Sequence, residues 1–84
     1  MEAYRWYADR SLDAAEAFRE ELARAGRAIQ RSPQIWAPYL SGTRRYLMKR
    51  FPFIVVFRAA ADRIEIIAVA HGRRRPGYWK GRVR

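Results

Sequence analysis

Cysteine is absent from this chain, and with it go disulfides, thiolate metal sites and a cysteine nucleophile. That composition fits a reducing compartment, so a cytoplasmic location is the expectation. A single histidine, His71, has no cysteine or carboxylate cluster beside it and cannot assemble three or four metal ligands, so no metal is expected. No run approaches the roughly 18 to 20 apolar residues needed to span a bilayer, and no basic-then-apolar start resembles a secretion signal. A soluble protein without membrane contact is expected. No glycine-rich phosphate loop follows a strand, no serine is flanked as a nucleophile elbow, and no carboxylates are spaced as an acid/base couple. These absences argue against a conventional hydrolase or nucleotide-dependent enzyme, and no cofactor is implied.

Acidic residues are scarce in only one half of the chain. Residues 1–42 carry six arginines against six acids, whereas residues 43–84 carry twelve basic residues against Asp62 and Glu65. The whole formal charge of +10 therefore lies in the second half. Such a field attracts a polyanion, whether RNA, DNA, ribosome or an acidic protein, and makes association sensitive to salt. Eighty-four residues allow one domain, 1–84, and half of them are apolar, enough to collapse around a small core.

Residues 2–9, with Tyr4 and Trp6-Tyr7, suit a short helix with an aromatic face. Ser11 can cap a second helix, in which Leu12, Ala15, Phe18, Leu22, Ala25 and Ile29 recur at steps of three and four. The break between the helices is short, so they form a hairpin whose apolar stripe needs a sheet to cover it. Ser32-Pro33 ends the second helix, and Pro38 and Gly42 keep residues 32–43 irregular, with Ile35, Trp36, Tyr39 and Leu40 pinning that loop. Residues 44–50, 53–59 and 63–71 read as strands joined by short connections, hence an antiparallel meander. The expected fold is α+β, a helical hairpin on a three-stranded antiparallel sheet.

The candidate functional residues are Arg45, Lys49, Arg50, Arg58, His71, Arg74, Arg75, Tyr78 and Trp79. Cations on the strands and tail can contact a phosphate-rich or acidic partner, or stabilise a phosphorane during RNA cleavage. They serve equally well as a solvated basic surface. His71 can act as acid or base near neutrality, or simply fix the tail at the end of a strand. Tyr78 and Trp79 can stack on a base, enter a partner's pocket, or fold back onto the core.

The order of these elements resembles the RelE/ParE superfamily of toxins from bacterial toxin-antitoxin modules. The resemblance is carried by the Trp6-Tyr7 helix, the Arg10-Ser11 break, Phe18, Ile29, the proline after the second helix, Arg45, Phe51-Pro52-Phe53 and Val69 through Trp79. It implies a toxin neutralised by an acidic antitoxin, with operator DNA bound only through that antitoxin. The superfamily divides into ParE-like inhibitors of DNA gyrase and RelE-like endoribonucleases that cut mRNA on the ribosome. His71-Gly72-Arg73-Arg74-Arg75-Pro76 is closer to the ParE side; an RNA-cleaving set would draw on Arg58, His71, Arg74 and Tyr78. The usual first strand before the helical hairpin has no counterpart here, which implies a truncated start or an open sheet edge, and admits a degenerate toxin. A plain basic module for nucleic acid or ribosome is the competing class.

Overall fold

The computed structural model describes residues 2–72. Helix α1 (Glu2–Ala8) leads through a tight turn to Ser11, whose hydroxyl accepts a hydrogen bond from the Ala14 amide and so caps helix α2 (Leu12–Arg31). The Ser32 amide donates to the Ala28 carbonyl at the other end, and Pro33 at the start of a single 3₁₀ turn prevents the helix from continuing.

The sheet has four strands rather than three. They are β1 (Ala37–Pro38), β2 (Arg44–Leu47), β3 (Phe53–Ala59) and β4 (Ile64–His71), antiparallel throughout and in chain order. The additional strand comes from the segment expected to be irregular. Ser41 and Gly42 both take positive φ, 56° and 73°, and reverse the chain so that Ala37 and Pro38 lie opposite Arg45 and Arg44. The Thr43 hydroxyl holds this reversal by donating to the Leu40 carbonyl. Pro38 is tolerated because a strand at the sheet margin does not need its missing amide. β2 stops at Leu47, short of the expected residue 50, where the chain turns towards Pro52. β4 carries a bulge opposite Val56 and Phe57.

Alternation of side chains divides the core between the two faces of the sheet. On the helix side, Tyr46, Val55 and Phe57 meet Ala3, Phe18, Ala25 and Ile29. The Phe51-Pro52-Phe53 corner is drawn onto the hairpin, with Phe51 5.1 Å from the Tyr7 ring and 5.3 Å from Phe18 in edge-to-face contact. On the far side, Ile54, Val56, Ala68 and Ala70 form a second cluster beneath Tyr39, Leu40 and Ile67. β3 is therefore buried on both faces, which explains its unbroken apolar run. Leu12 and Ile35, read above as packing residues, are exposed.

Candidate functional site

The register of the meander assigns each described candidate to a face. Arg45 lies opposite Val56 and so belongs to the far face, where its guanidinium stands 5.3 Å from the Tyr39 ring. Arg58 follows Phe57, which packs on the helices, and therefore also points to the far face. There it lies opposite Glu65 and donates to its carboxylate at 3.0 Å, while Arg63 approaches the same carboxylate at 3.6 Å. Glu65 thus sits between two guanidiniums on the last β hairpin.

His71 is on the other face. It lies opposite Phe53, with the two rings 5.2 Å apart and near perpendicular. The imidazole lines a groove of about 580 Å³ between α1 and the ends of β3 and β4, whose walls include Trp6, Tyr7 and Val69. Arg58 and His71 accordingly emerge from opposite faces of one sheet. Arg74, Arg75, Tyr78 and Trp79 lie outside the described residues.

Lys49 and Arg50 sit in the turn between β2 and β3, and what organises them is Glu21. Glu21 occupies the buried stripe of α2, between Phe18 and Ala25, and is 4% exposed. Its Oε2 accepts from the Lys49 amide at 2.6 Å and the Arg50 amide at 3.2 Å, and its Oε1 accepts from Arg50 Nε at 3.1 Å. Burial pushes the carboxyl's pKa up, but the bonds from the Arg50 amide and guanidinium and the Lys49 amide outweigh it and hold the group below its ordinary value. The carboxylate therefore clamps the turn to the second helix.

Sequence reasoning passed over Glu21 because a glutamate among helical charges reads as solvent-facing. The available signal was its place in the i, i+3, i+4 series running from Phe18 to Ala25. Tyr39, Arg63 and Arg24 were likewise not singled out. Among the described residues, no three histidine, aspartate or glutamate side chains gather as a metal site, and no helix is long and apolar enough to cross a membrane.

A helical hairpin fastened by a buried carboxylate and an aromatic corner to an antiparallel meander, with Arg45 and Arg58 on the sheet's far face, defines a small α+β protein. The family model for the ParE toxin of the type II toxin-antitoxin system, parDE, matches residues 2–76, and the chain belongs to that family. It is the toxin of a type II module, a class of protein that pairs with an antitoxin. No curated relative and no solved structure matches the chain significantly.

Proposed function

We propose that this toxin acts in the cytoplasm by binding DNA gyrase and blocking it, without cleaving RNA. The match to the ParE family supports the target, and the separation of Arg58 from His71 supports a binding mechanism. An RNA-cleaving centre needs its cations and its acid or base around one phosphate. Here Arg58 is engaged by Glu65 on the far face, and His71 meets Phe53 edge-to-face on the helix side.

In this reading Arg45 and Arg58 anchor the target surface, with Lys49, Arg50 and His71 at its margins, and Arg74, Arg75, Tyr78 and Trp79, which lie outside the described residues, remain part of the proposed contact set. An acidic antitoxin neutralises the toxin by covering that surface, and operator DNA is contacted through the antitoxin alone. The long-range field of the basic half speeds encounter with either partner and weakens as salt rises.

The test is to titrate the purified, folded chain into a gyrase supercoiling reaction and, in parallel, into ribosomes translating ready-made mRNA. Supercoiling should fall while mRNA ends stay intact. Ribosome-dependent cuts within codons, with supercoiling unaffected, would replace this reading by the RelE-like one.

A further inference from the structure

A second cavity, of about 180 Å³, opens where α2 meets the turn between β2 and β3, lined by Glu21, Arg24, Tyr46, Lys49 and Arg50. Three cations thus face one carboxylate. That carboxylate is already committed, because both Glu21 oxygens accept bonds from the turn. The cations are not. The Arg24 and Lys49 side chains have no acidic partner among the described residues, and Arg50 uses its Nε on Glu21 while its terminal nitrogens make no hydrogen bond there. Tyr46, 8% exposed, is a lining residue of this cavity, and its hydroxyl has no hydrogen-bond partner among the described residues.

We propose that this cavity is a phosphate-binding site in which Arg24, Lys49 and Arg50 supply the charge, Tyr46 supplies a neutral donor, and Glu21 holds the turn in place beneath them. The donors come from three separate elements: helix α2, strand β2 and the turn. Such convergence serves the several oxygens of a tetrahedral anion better than the two coplanar oxygens of a carboxylate. Arg50 is pre-organised, since its fork is fixed at Nε before any ligand arrives. The site lies where helix α2 meets the turn and shares Lys49 and Arg50 with the margin of the proposed target surface, so its test reads phosphate binding and not gyrase inhibition. A polynucleotide backbone and free phosphate present the same chemistry to this site, and the experiment below distinguishes them.

The probe is inorganic phosphate, titrated at constant ionic strength into the isotope-labelled full chain while amide and arginine Nε resonances are followed. Saturable shifts should concentrate at Lys49, Arg50 and Arg24, with a dissociation constant in roughly the millimolar range expected of a few exposed charged contacts. The double variant Arg24→Gln/Lys49→Gln should weaken binding about tenfold or more, with an otherwise unchanged spectrum, since neither side chain ties the fold together. A short single-stranded oligonucleotide that moves the same resonances and competes with phosphate would identify a nucleic-acid backbone as the source. Competition failing while phosphate still saturates would identify free phosphate. Shifts spread evenly over the arginines without saturation, shifts that survive in the double variant, or a glutamate-rich peptide binding here where phosphate does not, would each overturn the proposal.

Discussion

The two faces of the sheet use the same strands for different purposes. The helix-side face presents Tyr46, Val55 and Phe57 to Phe18 and Ile29, and the corner aromatics Phe51 and Phe53 close its end against Tyr7. The far face has smaller residues, Ala68 and Ala70 beside Ile54 and Val56, beneath the Tyr39 and Leu40 loop, and it carries Arg45 and Arg58. A period of two residues places the large aromatic packing on one side, and Arg45 and Arg58 beside a smaller apolar cluster on the other. In so small a domain, stability should therefore depend mainly on the helix side, and target binding mainly on the far side.

The sharpest way to break that division is at Phe18, which is fully buried between hairpin and corner. Phe18→Ala should lose about 3–5 kcal/mol in a denaturant titration and leave the chain largely unfolded. Next comes Glu21→Gln, which puts an amide donor against the donors of the turn and should lose about 2 kcal/mol. The same group gives a pH signature. Its folded pKa lies below its ordinary value of 4.5, so its contribution is complete above the unfolded value and is lost as pH falls through the folded one. Melting temperature should drop over that acid range in the parent chain and less steeply in Glu21→Gln; equal slopes would remove the clamp from the account. Ser11→Ala, which deletes the cap on α2, should lose about 1 kcal/mol in the same titration.

The smallest effect separates pattern from packing. Leu12 belongs to the apolar series of α2 but is 71% exposed, so Leu12→Gln should shift stability by no more than about 0.5 kcal/mol. A loss of several times that size would show that the first turn of α2 is covered.

The helical hairpin was legible because its signals are local. Ser11 precedes an amphipathic series, and Ser32-Pro33 follows it. β2, β3 and β4 were legible from the apolar runs of β3 and β4 and from the proline and alanine-aspartate corners that separate the three segments. β1 was not, because a two-residue strand containing proline has no periodicity, and its pairing depends on the positive φ of Ser41 and Gly42. The facing of Arg45, Arg58 and His71 was hidden for a related reason: β3 is apolar on both sides and β4 carries a bulge, so alternation alone does not tell which way a residue points. Glu21 was hidden because its partners are backbone amides in a turn almost thirty positions further along the chain. Composition reports charge, but it does not report which charge is already in use.

The most direct test compares two variants that change charge equally on opposite sides of the molecule. Arg45→Glu/Arg58→Gln alters the far face, and Arg27→Glu/Arg31→Gln alters the exposed side of α2. Both are assayed for inhibition of gyrase supercoiling after their folding has been verified by thermal melting. The far-face variant should lose inhibition while the helix variant keeps it. Equal weakening of the two, or full inhibition by the far-face variant, would contradict the assignment of target binding to that face.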